Sequence, residues 1–228
     1  MQYLALASDY DGTLATKGCV DEATLAALKR LRDSGRKFIL VTGRHLEELF
    51  QVFPQVNLCD LLVLENGGLL YRPATGEEKA LGEPPPAKFI KTLQQRGVQP
   101  LDVGRVIVAT WRPHETTVLE VIRDLGLDLQ VIFNKNAVMV LPSGLDKATG
   151  LKVALDELGL SLKNTVGVGD AENDHAFMSV CGYSVAVANA LSLLKSQANW
   201  VTSRDRGAGV AELIDKLIAS DLPDLEAK

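Results

Sequence analysis

Continuous apolar runs alternating with amphipathic helical patterns constrain this chain of 228 residues more than any other feature. YLALA at 3–7 reads as a buried strand. It is followed by DEATLAALKRLRDSG, in which Leu25, Leu28 and Leu31 recur at helical spacing before Gly35 ends the pattern. KFILVT supplies a second strand, RHLEELFQVF a second helix and DLLVLE a third strand. That alternation predicts parallel strands joined by right-handed helical crossovers.

The rhythm then changes. GLLYRPATGEEKAL, with Pro and Gly between two short runs, suits a hairpin, and EPPPA at 83–87 is the sharpest compositional break in the chain. Beyond it come a helix (AKFIKTLQQRG), a strand (GRVIVAT), a helix (HETTVLEVIRDLG) and two strands (LQVIFN, AVMVLP), a small α+β layer ending near Pro142. The first pattern resumes with KATGLKVALDELG, whose Leu151, Leu155 and Leu158 share a helix face, and with TVGVGD, YSVAVAN and WVTS as the last strands. The expectation is an α/β fold: a Rossmann-like parallel-sheet core from residues 1–82 and 143–228, interrupted by a small α+β unit at 83–142. The C-terminal DLPDLEAK reads as a frayed, solvated end.

Composition narrows the partners. A net charge of −5 with no basic stripe argues against nucleic acid, and no apolar run is long enough for a signal peptide core or a membrane span. Cys19, Cys59 and Cys181 are scattered and lack C-x-x-C spacing, which fits a reducing cytoplasm and no thiolate metal site. A small molecule is the expected partner, and the oligomeric state is open.

Chemistry gathers at the ends of the apolar runs. In open parallel sheets, ligands bind at the carboxyl ends of the strands, where Asp9, Thr42 and Asp170 fall. Asp9, with its backbone fixed by a strand, suits an in-line nucleophile on phosphorus. Asp11, two residues on, can project the same way and serve as acid and then base, with a pKa raised by its neighbour Asp9. Gly12 permits a tight turn that brings the N–H groups near Thr13 toward phosphate oxygens. Asp170 and Asp174 form a second acidic cluster, and carboxylates with phosphate require a cation; Mg2+ is the expected ion. Asp9, Asp170 and the main-chain carbonyl of Asp11 are the expected direct ligands. Asp174 completes the acidic set, with Asn173 beside it, by orienting water and the lysine. Both aspartates also suit the start of the helix that follows. Lys147 supplies positive charge to Asp9 and the transferring group. Thr42, with Gly43 and a helix beginning near Arg44, offers a hydroxyl and N–H groups to the same oxygens. Arg44 and Asn66, at core strand ends, are candidates for substrate binding.

These residues resemble the haloacid dehalogenase superfamily. DYDGT at 9–13 is similar to its DxDGT signature, Thr42 to its second motif, Lys147 to its third and GDAEND at 169–174 to its GDxxND fourth motif, all in the family's order. ENGG at 65–68 is similar to a stretch of the Cof-like branch, and residues 83–142 occupy the place of that branch's type IIB cap. The resemblance implies a Mg2+-dependent phosphatase that hydrolyses a small phosphomonoester, a sugar phosphate or a phosphorylated organic acid such as phosphoglycolate, through an aspartyl-phosphate. A phosphomutase of the same superfamily, a phospho-accepting signalling module and a non-catalytic sugar-phosphate binder are the alternative readings. Within the cap, Arg112 and Lys135 are candidates for the leaving group. His45, His114 and His175 lack metal-ligand spacing and are assigned no chemistry.

Overall fold

The computed structural model describes residues 1–222; the end of DLPDLEAK lies outside the described residues. In chain order the elements are β1 (Ala5–Ser8), α1 (Glu22–Asp33), β2 (Lys37–Val41), α2 (Leu46–Val52), β3 (Leu61–Leu64), β4 (Leu69–Arg72), β5 (Glu77–Ala80), α3 (Ala87–Gln95), β6 (Asp102–Val103) and β7 (Val108–Trp111). They continue with α4 (Glu115–Asp124), β8 (Leu129–Asn134), β9 (Ala137–Pro142), α5 (Lys147–Glu157), β10 (Thr165–Gly169), α6 (His175–Val180), β11 (Tyr183–Ala186), α7 (Ser192–Gln197), β12 (Trp200–Val201) and α8 (Arg206–Ser220).

The strands form two sheets. Eight run in the order β12-β11-β10-β1-β2-β3-β4-β5, parallel from β12 to β3 and antiparallel at β4 and β5. Every residue of β1, β3, β10 and β11 is buried, as sheets covered by helices on both faces require. Each fully buried Leu, Ile, Val or Phe of this core stabilises the fold by about 1.5–3 kcal/mol, an upper bound because the unfolded chain is itself partly compact. The RPATGE turn makes the expected hairpin between β4 and β5.

A second, antiparallel sheet has the order β6-β7-β9-β8. The alternation along β9 sorts its two faces: Val138 and Val140 pack with Phe89 and Leu93 of α3 and Val118 and Val121 of α4. Met139 and Leu141 point the other way and cluster with Ile107, Ala109 and Ala137. The fold is thus an α/β parallel-sheet core carrying a small α+β layer.

Three elements go beyond the sequence patterns: β6, α7 and α8. The last carries Val210, Leu213, Ile214 and Leu217 at helical spacing, all buried, and packs against α1. A further correction concerns α2, which starts at Leu46 rather than near Arg44, with His45 in the extended conformation before it. Residues 42–45 are therefore strand-end loop.

Candidate active site

Strands β10, β1 and β2 are neighbours, and the residues that follow them are Asp170, Asp9 and Thr42. The chain leaves β1 toward β2 and β3 on one side and later builds β10, β11 and β12 on the other. The order therefore reverses between β1 and β10, where a doubly wound sheet opens a crevice.

Lys147, the first residue of α5, reaches this crevice from outside the sheet. Asp146 caps that helix: its carboxylate accepts from Thr149 N at 2.8 Å, and Thr149 Oγ1 accepts from Asp146 N at 2.9 Å. The Lys147 ammonium, almost wholly buried, donates to Asp9 Oδ1 and to Asp174 Oδ1, both at 2.6 Å. Asp174 Oδ2 accepts the backbone N–H groups of Asp170 and Ala171, each at 2.9 Å. That close approach needs Gly169, because a Cβ there would lie 2.6 Å from the Cβ of Asp174. Thr13 Oγ1 donates to Asp170 Oδ1 at 3.0 Å. Gly12, at φ +92°, leaves room for the same carboxylate, since a Cβ on it would fall 2.5 Å from Asp170 Oδ2.

One oxygen from each of Asp9, Asp170 and Asp174 lies within 4.8 Å of the others. Burial, reinforced by Asp174, pushes the Asp9 carboxyl up to about 8 against the pull of Lys147. Burial and Asp174 likewise raise Asp170. Burial alone would lower Lys147, but Asp174 and Asp9 outweigh it and hold the ammonium charged. Three carboxylates thus gather beside one buried ammonium that bonds two of them, a hard, oxygen-only, net-negative donor set of the kind that holds a small divalent cation. Both oxygens of Asp174 are engaged, so Asp9 and Asp170 are the carboxylates able to face an ion. Asp9 Oδ2 makes no hydrogen bond among the described residues.

Asp11 departs from expectation in its partner. The Arg44 guanidinium holds it in a fork, Nε to Oδ2 at 2.6 Å and Nη2 to Oδ1 at 2.8 Å. The same guanidinium lies over the Tyr10 ring, 5.5 Å from its centroid, and Tyr10 is fixed by its hydroxyl on the carbonyls of Gly18 and Val52. In this arrangement Arg44 is turned to Asp11. Thr42 is buried, and its Oγ1 accepts from Arg44 N at 3.2 Å. Asn173 Nδ2 donates to Asn66 Oδ1 at 3.1 Å, and Asn66 Nδ2 contacts Met139 Sδ at 2.8 Å, a chain from the acidic cluster to the second sheet.

A cleft of about 400 Å³ separates the two sheets. Its core side carries Asp9, Asp11, Thr42, Gly43, Arg44 and Asn173; its other side carries Ala109, Thr110, Trp111, Asn134, Ala137 and Met139. Lys135, at the β8–β9 turn, sends its ammonium to 3.6 Å from Asp170 Oδ2. Arg112 does not line the cleft and stacks over Phe133. His45, assigned no chemistry from the sequence, is buried on the cleft wall between Glu65 and Asp102. Its position directly after VTGR was the available signal; its partners, remote in sequence, gave none.

Comparison with known proteins agrees with this geometry. The sequence profile of the haloacid dehalogenase-like hydrolases matches residues 6–99 and 131–214, leaving out β6, β7 and α4. A phosphoglycolate phosphatase of Methanothermobacter thermautotrophicus is 30% identical over 225 residues, covering 94% of this chain and 98% of that one. Phosphoglycolate phosphatase 2 of Saccharolobus solfataricus is 31% identical over 224 residues, covering 96% and 94%. Among solved structures, a haloacid dehalogenase-like hydrolase from Bacteroides thetaiotaomicron superposes with a TM-score of 0.78 at 19% identity, over 94% of this chain and 99% of that one. A sugar phosphatase of subclass IIB superposes with a TM-score of 0.75 at 19% identity, over 93% and 98%. With its motifs, its sheet order and the profile match in agreement, the chain belongs to the haloacid dehalogenase-like hydrolase family.

Proposed function

We propose that the protein is a Mg2+-dependent phosphatase acting on small phosphomonoesters through an aspartyl-phosphate, with 2-phosphoglycolate the leading substrate. The observation that carries the reading is the buried Asp9–Lys147–Asp174 chain beside Asp170 at the sheet's switch point. The identity of about 30% to proteins named phosphoglycolate phosphatases directs it to a phosphorylated acid.

Asp9 and Asp170, with the main-chain carbonyl of Asp11, would hold the metal, and the bound ion supplies charge neutralisation for the phosphoryl oxygens. The chain's own residues do the rest. Lys147 fixes Asp9 through Oδ1, which leaves Oδ2 to attack phosphorus. As the phosphorus–ester oxygen bond breaks, Asp11 gives a proton to the departing oxygen; for this it must exchange Arg44 for the leaving group. Asp11 then takes a proton from water, which attacks phosphorus and breaks the bond to Asp9, releasing inorganic phosphate. Thr42 Oγ1 and the loop N–H groups of Thr13 and Gly43 are assigned to the phosphoryl oxygens; the expected Gly12 N–H is instead bound to the Ala15 carbonyl at 3.2 Å and the Thr13 hydroxyl to Asp170, so Gly12 contributes the turn and not a donor. Arg44, which lines the cleft and is bound to Asp11, is assigned to a carboxylate on the leaving group. Asn66 and Asn173 position the cleft wall. Residues 83–142 act as a cap over a core made of 1–82 and 143–228, excluding bulk water when closed.

Phosphate release from a panel of phosphomonoesters with Mg2+ tests the reading. Turnover of 2-phosphoglycolate well above that of hexose phosphates is expected. Release from none of them, with or without a divalent ion, would overturn it.

A further inference from the structure

Outside the reacting groups, one ionic cluster spans the two sheets and lines the cleft. His45 faces two carboxylates: its Nδ1 lies 3.4 Å from Glu65 Oε1, and its Nε2 lies 2.9 Å from Asp102 Oδ2. Glu65 belongs to the core and is fully buried, whereas Asp102 lies in edge strand β6 of the cap with its side chain 57% exposed. A neutral imidazole has one N–H and one lone pair; only the imidazolium can donate to both acceptors. Glu65 in turn accepts the backbone N–H groups of Arg105 at 3.0 Å, Val106 at 2.8 Å and Ile107 at 3.0 Å, the segment joining β6 to β7.

We propose that His45 is a positioning residue, a doubly protonated clamp that holds the base of the cap to the core by joining Asp102 to Glu65 and so sets closure of the cleft over Asp9. The inference rests on the proposed phosphatase for its kinetic consequence, and on structure alone for the clamp. Other charges around His45 do not replace it. Glu48 and Glu47 add negative potential, Arg105 is committed to Glu47 and Glu78, and Arg44 to Asp11. The hydrogen bond to Glu65, with Asp102 and despite burial, raises the His45 pKa above its ordinary value. Closure is therefore favoured below that raised value and weakens as pH rises through it. Loss of a proton sets an imidazole lone pair against a carboxylate, and exposed Asp102 is the partner free to leave.

The test is amide hydrogen exchange at Arg105, Val106 and Ile107 in the full chain, corrected for intrinsic rate, at about pH 6 and about pH 9, below and well above the ordinary histidine pKa of about 6.5. In the wild type, protection at the lower pH should exceed that at the higher by roughly fivefold, the scale of a partly exposed ion pair. Asp102→Asn, on an exposed position that the fold tolerates, should lower protection at the acid end and remove most of the pH dependence, as should His45→Gln. In parallel, the alkaline fall of kcat/KM for p-nitrophenyl phosphate should flatten in Asp102→Asn, with the larger change in KM. Equal protection at both pH values in the wild type, or an Asp102→Asn chain that matches the wild type in exchange and in its pH profile, would overturn the clamp. Exchange is read without turnover. The expected exchange pattern in a protein that releases phosphate from no ester would support the clamp and count against the proposed reaction instead.

Discussion

The carboxyl edge of the eight-stranded sheet and the cleft-facing side of the four-stranded sheet meet across one cleft but are built from opposite materials. On the core edge, Asp9, Lys147 and Asp174 are buried and bound to one another at 2.6 Å, so each charge depends on the next. On the four-stranded side, Ala109, Trp111, Ala137 and Met139 present mainly apolar surface, with Thr110 and Asn134 as neutral polar groups and Asp102 as an acidic one. The two sheets' units are joined in part by the partly exposed Arg105, bound to Glu47 and Glu78, and by the exposed Lys135, bound to Asp170. A buried charge network fails when one member is removed, whereas an apolar wall can be reshaped in small steps. The core should fix the chemistry and the cap should tune what enters.

Substitutions on the two sides should differ accordingly. Asp9→Asn keeps the shape and removes the proposed nucleophile, and kcat should fall by at least about a thousandfold, measured as phosphate release. Lys147→Met strands two buried carboxylates and should cost about 3–5 kcal/mol in urea unfolding of the metal-free protein. A divalent ion should stabilise the wild type by about 2.7 kcal/mol at a hundred times its Kd, seen as a rise in Tm, and Asp170→Asn should lose most of that rise. On the cap, Ala109→Leu narrows the cleft and should raise KM about tenfold while leaving the unfolding midpoint nearly in place. Lys135→Gln, at an exposed hairpin tip, should change stability by less than about 0.5 kcal/mol. Equal penalties for Lys147→Met and Lys135→Gln would break the contrast.

What the sequence disclosed follows the same division. The positions of Asp9, Thr42 and Asp170 could be read because each ends a continuous apolar strand, and parallel strands align their carboxyl ends. Arg44 was legible as a residue at that edge but not as the partner of Asp11, since a long side chain three residues past the end of β2 can turn to either neighbour. Strand β6 has only two residues, too few for a period, so the link from Asp102 to His45 left no pattern to detect. Helix α8 did carry a helical period, in Val210, Leu213, Ile214 and Leu217, but followed the last strand run with no motif to draw attention to it.

Rapid quenching of the enzyme during turnover of 2-phosphoglycolate with Mg2+, followed by peptide mass spectrometry, bears most directly on the central claim. A phosphoryl group on the carboxylate of Asp9, absent in Asp9→Asn, is the expected result. Turnover at full rate with no phosphorylated peptide at any point in the cycle, or a phosphoryl group found on another residue, would contradict it.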